Sequence, residues 1–267
     1  MAYIGGKSRK YNHIIDILNN KCFDNFDYLE PFVGYCHILR RVVNKKSYTA
    51  SDSNELLIQL LNFVQNTNKK YPEISEEEYN HLKNDKSVKN RVKKAFAAFC
   101  YSYNGKEFGG YTNIVGERNY PKERKKYYDS LRKNETFMET KFSLKNYLKY
   151  KPKNKLIYCD PPYEKTTGYS TSIDFDHELF WKTMRYWSKN NMVFISEYNA
   201  PEDFIMISSS KKHSSLSGRG SVDIRTEKLF VHKSFFKKKM YLCLKNNTTK
   251  SKRKSKRKSK SKSKSPS

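Results

Sequence analysis

Between residues 8 and 20 the apolar residues Ile14, Ile15, Ile17 and Leu18 fall on one helical face. The next apolar run, FDYLEPF (26–32), stops at Pro31, which has no amide hydrogen for a ladder, and reads as a short strand. HILRRVV (37–43) returns to a helical pattern. KSYTASD (46–52) reads as a second strand ending in an acid, and NELLIQLLNFVQ (54–65) is a helix with a strong apolar stripe. Strand, helix, strand, helix is the opening of an α/β sheet.

The pattern then changes. SEEEYNHL (75–82) sets Ser75 three residues before Glu78, a capping-box start. KSVKNRVKKAFAAFCYSY (86–103) is a basic helix, NGKEFGGYTN (104–113) a hairpin or loop, and PKERKKYYDSLRK (121–133) another basic helix. Strand and helix alternation resumes with TFMET (136–140) and KLIYCD (155–160) as strands, a helix over 177–189, and NMVFIS (191–196) as a strand. FISEYNAPEDF (194–204) reads as a strand followed by a loop. EKLFVHK (227–233) and KMYLCLK (239–245) suggest an antiparallel pair at the sheet edge. The expected organisation is therefore a split α/β domain, 1–69 with 135–249, interrupted by an insert at 70–134. A tail, 250–267, has no apolar residue to bury and is expected to be disordered.

Charge narrows the class of partner. The chain of 267 residues carries a formal net charge of +27, and the tail holds ten Lys/Arg with no acid, so seventeen net positive charges lie outside it. A polyanion partner follows, nucleic acid or an acidic membrane surface. The tail run KSKRKSKRK would also serve as a nuclear-import signal. Aromatic residues make up 15% of the chain, enough to build a core despite a hydrophobic content of 36%. The five cysteines, scattered with no C-x-x-C spacing, argue against a zinc site or a disulfide framework and fit a reducing compartment. No run approaches the roughly 18 apolar residues of a membrane span, and the N-terminus lacks a signal-peptide core. The expectation is a soluble intracellular protein of the cytoplasm or the nucleus, with no metal and no membrane-spanning segment, monomeric in solution.

In open α/β sheets ligands bind outside the carboxyl ends of the strands. Three strand ends carry unusual chemistry there. Glu30-Pro31-Phe32-Val33-Gly34 allows a tight turn and close backbone approach at Gly34. Asp52 is placed to accept from the two hydroxyls of a ribose, or equally to cap the helix that follows. Asp160-Pro161-Pro162-Tyr163 sets an acid and an aromatic on a loop that two prolines make rigid.

These motifs in this order resemble the D12-class, Dam-like DNA adenine N6-methyltransferases, in a branch common in phages and viruses. The matching segments are YIGGKSR (3–9), YLEPFVG (28–34), ASDSNELLI (50–58), YNGKEFGGY (103–111), YCDPPYEKTTGY (158–169), FISEYNAPEDF and EKLFVHK. The resemblance implies a Rossmann-like class I AdoMet-dependent sheet with a helical and hairpin DNA-recognition insert. It implies methyl transfer from S-adenosyl-L-methionine to adenine N6 in double-stranded DNA. It places Tyr3, Gly5, Gly6, Lys7, Glu30, Phe32, Gly34, Asp52 and Asp160 at the donor. Lys7 would meet the methionine carboxylate, while Phe32 could equally be a core aromatic.

Adenine's exocyclic amine is a poor nucleophile, because its lone pair is delocalised into the ring. Asp160 and the Pro161 carbonyl could accept its two hydrogens, held ready by Pro161 and Pro162, and Tyr163 offers a ring for a flipped base. Within the insert Lys93, Tyr103, Asn104, Lys106, Phe108, Tyr111 and Arg118, with Lys89, Arg91 and Lys94, suggest phosphate contacts and an aromatic wedge. One departure stands out: Tyr35 replaces an expected small residue and either points outward or crowds the donor loop. A catalytically weakened DNA-binding homologue and an adenine methyltransferase acting on RNA are the competing readings.

Overall fold

The computed structural model describes residues 11–67, 70–87, 89, 91–116, 118–163, 175–213 and 224–237. Tyr3, Gly5, Gly6 and Lys7, the expected strand at 239–245 and the basic tail lie outside them.

A seven-stranded mixed sheet organises the chain. Its strands are β1 (Asp27–Glu30), β2 (Ser47–Asp52), β5 (Lys141–Leu144), β6 (Lys155–Cys159), β7 (Met192–Glu197), β8 (Phe204–His213) and β9 (Ile224–His232). A separate two-residue hairpin forms β3 (Ile114–Val115) and β4 (Arg118–Asn119). The order across the sheet is β5-β2-β1-β6-β7-β9-β8. The first five are parallel, and β9 runs antiparallel to both β7 and β8. Chain order reverses between β1 and β6, and in open α/β sheets ligands bind at the carboxyl ends of the strands at such a reversal. This is the α/β class that the alternation predicts, with the Rossmann-like sheet that the resemblance implies.

Central strands are apolar on both faces, as parallel strands covered by helices must be. Leu156, Ile157, Tyr158 and Cys159 of β6 are fully buried, as is every residue of β7. Helices α1 (Asn12–Leu18), α2 (Glu55–Asn66), α3 (Glu76–Asn84), α4 (Arg91–Cys100), α5 (Tyr120–Arg132), α6 (Glu135–Glu139) and α7 (His177–Ser188) complete the fold. Short polar side chains start five of them: Asn54, Ser75, Asn119, Asn134 and Asp176 each accept a first-turn amide. Helix α2 packs against α4 and α5, and buried residues of α3, α4 and α5 share one hydrophobic cluster with β1 and β2. No helix among the described residues is long and apolar enough to cross a membrane.

Four expectations are corrected. HILRRVV forms only a 3-10 turn at Leu39–Arg41, because Gly34 and Cys36 both adopt positive φ and Val42 is already extended. Ile38, Leu39 and Val42 still reach the core from this irregular segment. TFMET is the one-turn helix α6 rather than a strand: Asn134 accepts the Phe137 amide at 2.9 Å and nucleates it. The edge strand is the next segment, β5. The antiparallel neighbour of EKLFVHK at the sheet edge is β8, which begins where the sequence suggested a loop. Finally, Cys36, Cys100 and Cys159 are buried free thiols, but Cys22 is disulfide-bonded.

Candidate active site

Adjacent parallel strands bring the Gly34 turn and Asp52 together. Glu30 pairs in register with Ala50, and the chain leaving β1 folds back so that Val33 N–H reaches the Ser51 carbonyl at 3.0 Å. Gly34 N–H then donates to Asp52 Oδ2 at 3.1 Å, and Asn54 N–H to Asp52 Oδ1 at 2.9 Å. Gly34 has φ +48°, and a Cβ built there would meet no atom within 4 Å. The turn therefore leaves open space on that side, and its backbone conformation suits glycine. Burial raises the Asp52 carboxyl above its ordinary value despite the backbone donors Asn54, Gly34 and Ser53. Asp52 is not the helix cap. Asn54 caps α2 through Leu57 N–H, and its amide also donates to Glu107 Oε2 at 2.6 Å.

Glu30 and Phe32 face inward. Glu30 is buried and accepts the Tyr28 hydroxyl at 2.6 Å. Phe32 packs on Tyr147, Phe175 and Phe180, with ring centroids 5.1–6.0 Å apart. Tyr35 does not point to solvent. It is buried against Phe99 and His37, its hydroxyl donates to the Gly105 carbonyl at 3.4 Å, and its carbonyl accepts the Tyr127 hydroxyl.

The third strand end places Asp160 directly after buried β6. Pro161 is buried, while Asp160, Pro162 and Tyr163 are partly exposed. The Tyr163 hydroxyl lies 2.8 Å from Asp160 Oδ1 and 2.9 Å from Glu227 Oε1 on β9. The Tyr198 ring meets Tyr163 edge-on at 4.8 Å. Burial and the Asp160 carboxylate hold the Tyr163 hydroxyl well above its ordinary pKa, so it remains a donor. Glu197, buried at the end of β7, accepts the Tyr198 amide at 2.6 Å.

The segment at residues 103–116 sets partly buried side chains beside exposed ones. Its loop is closed by Tyr103 N–H to the Gly110 carbonyl at 2.9 Å and Thr112 N–H to the Tyr101 carbonyl at 2.8 Å. Within it, Phe108 and Tyr111 are partly buried and pack on Tyr79 with ring centroids 5.4 and 5.5 Å away. The exposed aromatic is Tyr103, and Asn104 beside it takes φ +52°. Gly105 lies so close over the Arg124 guanidinium that a Cβ would stand 2.7 Å from it. Lys106 and Lys89 are exposed. Lys93 pairs with Glu78, Arg91 pairs with Glu55, and Lys94 reaches the Asp85 carbonyl. Arg118 belongs to β4. Sequence reasoning missed Ile114 and Val115, which are 63% and 61% exposed on β3 and form an apolar tip. It also missed Glu227. The only cue for Ile114 and Val115 was an apolar pair between Asn113 and Gly116, and for Glu227 an acid opening an apolar strand.

Among the described residues no group of three or more His, Cys, Asp or Glu is arranged to hold a metal. Comparison with known proteins places this geometry in context. The sequence profile of the D12 class N6 adenine-specific DNA methyltransferases matches residues 3–196. The type II methyltransferase M.FokI of Planomicrobium okeanokoites is 28% identical over 194 residues, covering 63% of this chain. Those residues span 29% of that relative's own length. Among solved structures, a candidate RNA methyltransferase of Pyrococcus horikoshii covers 84% of this chain and 86% of its own, at 8% identity and TM-score 0.40. The rRNA methyltransferase aviRa of Streptomyces viridochromogenes covers 88% and 89%, at 7% identity and TM-score 0.38.

Proposed function

The chain belongs to the D12 class N6 adenine-specific DNA methyltransferase family, and from that premise we propose that it methylates adenine N6 in duplex DNA. The observation that carries the reading is the convergence of Gly34, Asp52 and Asp160 on one sheet edge, each at the carboxyl end of a neighbouring parallel strand or just beyond it. S-adenosyl-L-methionine would supply the methyl group. The residues fit such a donor: Gly34 leaves space for close approach, and the Asp52 carboxylate keeps lone-pair capacity for a ribose hydroxyl beyond the backbone amides of Gly34, Asn54 and Ser53 that it already accepts. Tyr3, Gly5, Gly6 and Lys7 belong to the same proposal on sequence grounds. Glu30 acts in it by fixing the end of β1, and Phe32 by walling the crevice.

Asp160 and the Pro161 carbonyl accept the two amine hydrogens, which favours a more tetrahedral nitrogen with its lone pair aimed at the donor. Tyr163 provides the stacking face for an adenine turned out of the duplex. Alignment for in-line transfer supplies most of the acceleration in this reading. DNA would lie along the 103–119 loop and hairpin. Tyr103, Asn104, Lys106 and Arg118 would contact it, with Lys93 contributing near the phosphates. Ile114 and Val115, rather than Phe108 or Tyr111, are the side chains exposed enough to press into the base stack. The catalytic halves are 1–69 and 135–249, the recognition insert is 70–134, and the tail is a tether that engages phosphates without reading bases. The adenine-specific activity (EC 2.1.1.72) is tested by expressing the chain in a methylation-free host and sequencing its native DNA. Modified adenine in a fixed sequence context is expected. Methyl transfer to RNA alone would favour the RNA reading.

A further inference from the structure

The Tyr163 hydroxyl carries one proton and faces two carboxylates, Asp160 Oδ1 at 2.8 Å and Glu227 Oε1 at 2.9 Å. The two acids come from different parts of the sheet. Asp160 leaves the end of parallel β6, whereas Glu227 stands on antiparallel β9, where it is 5% exposed. A carboxylate so deeply buried is costly unless donors offset its lost hydration. The Tyr163 ring is held by the edge of Tyr198, and a hydroxyl can turn about its own bond without moving its ring. Burial keeps that hydroxyl protonated, so it acts as a donor that two acceptors share.

This sharing bears on the reaction proposed above and rests on that reading. An Asp160 oxygen that already accepts the Tyr163 proton has less capacity for an adenine amine hydrogen. We propose that Glu227 is a positioning residue that takes over the Tyr163 hydroxyl when adenine enters, leaving Asp160 Oδ1 to the amine. Glu227 touches no reacting atom. It acts through Tyr163 by determining which carboxylate the hydroxyl serves. Without it the hydroxyl has Asp160 as its remaining acceptor of this pair and competes with the substrate.

The proposal makes a suppression test possible, read by single-turnover methyl transfer to duplex DNA with labelled S-adenosyl-L-methionine, using the full chain. Glu227→Gln is expected to slow the step about tenfold, the scale of one withheld hydrogen bond. Donor affinity, measured by calorimetry, is expected to stay within about twofold because Glu227 is not assigned to the donor contacts. On a Tyr163→Phe background, which has its own baseline, adding Glu227→Gln should cost less than about twofold, since the competing hydroxyl is gone. Glu227→Asp keeps the charge and shortens the reach, so it should be slowed in the same direction and suppressed in the same way. Equal slowing on both backgrounds would overturn the positioning role, as would an unslowed Glu227→Gln. A parent chain that transfers no methyl group to DNA would overturn the underlying reading along with it, an outcome distinct from an active parent that shows no suppression.

Discussion

The Gly34–Asp52 edge and the 103–119 loop use polar and apolar chemistry in opposite ways. At the edge, neighbouring parallel strands bring backbone amides of Gly34 and Asn54 onto one carboxylate, and little about the arrangement depends on distant side chains. In the loop, Phe108 and Tyr111 are drawn inward onto Tyr79 from a helix that lies earlier in the chain, and the surface is left to Tyr103, Ile114 and Val115. Motif residues that serve local backbone geometry stay where the motif implies. Motif residues that are large and apolar go wherever a partner buries them. Tyr35 connects the two regions, with its carbonyl held by Tyr127 and its hydroxyl on Gly105.

The sharpest separation of the regions comes from Asp160→Asn. Methyl transfer should fall by about a hundredfold or more, because an amide accepts less strongly where charge develops. The melting temperature should stay near that of the parent, since Asp160 lies on a partly exposed loop. A variant with near-parent single-turnover rates would remove Asp160 from the chemistry.

Next in size is Tyr35→Ala. It empties a site buried against Phe99 and His37, so denaturant unfolding should show a loss of about 3 kcal/mol. A stable variant that binds the donor more tightly would mean instead that the tyrosine crowds the turn.

Asp52→Asn should weaken donor binding by about tenfold through one lost charge-assisted bond, with DNA affinity little altered. Calorimetry with S-adenosyl-L-methionine alone measures it. The paired change Ile114→Ser and Val115→Ser addresses the other region and should weaken duplex binding by a few-fold, on the order of 1 kcal/mol. Donor affinity should not respond. If Phe108→Leu weakens DNA binding more than the tip changes do, while the fold remains intact, the assignment of the exposed tip is wrong.

A pH-dependent effect lies between the regions. Burial, followed by the charges of Arg40, Arg41 and Arg124, holds the His37 imidazole down at about 3, from 6.5. The unfolded chain therefore binds more protons than the native chain between these values. The stability tied to this group is full above pH 6.5 and declines as the pH falls toward 3, by roughly 1.4 kcal/mol per pH unit at most. His37→Gln should flatten that acid limb in denaturation curves taken between pH 7 and 5. An unchanged slope would mean that the imidazole is not held neutral.

Much of the site was legible because its chemistry is written in consecutive residues. Glu30-Pro31-Phe32-Val33-Gly34, the acid closing β2 and Asp160-Pro161-Pro162-Tyr163 each combine a strand end with a residue type that strand interiors disfavour. Burial on both faces of β6 and β7 follows from their unbroken apolar runs. Strand-helix alternation was enough for the α/β class, since a parallel sheet needs helices across its faces. The sequence could not decide contacts between segments far apart in the chain. Glu227 meets Tyr163 from 64 residues away. The same is true of Tyr35, whose bond to Gly105 spans 70 residues and turns it inward. Phe108 and Tyr111 meet Tyr79 from about thirty residues away and are partly buried by it. Local propensity and periodicity act over a few residues, whereas which buried group faces which carboxylate depends on how the strands are ordered and registered, and that is a property of the assembled sheet alone.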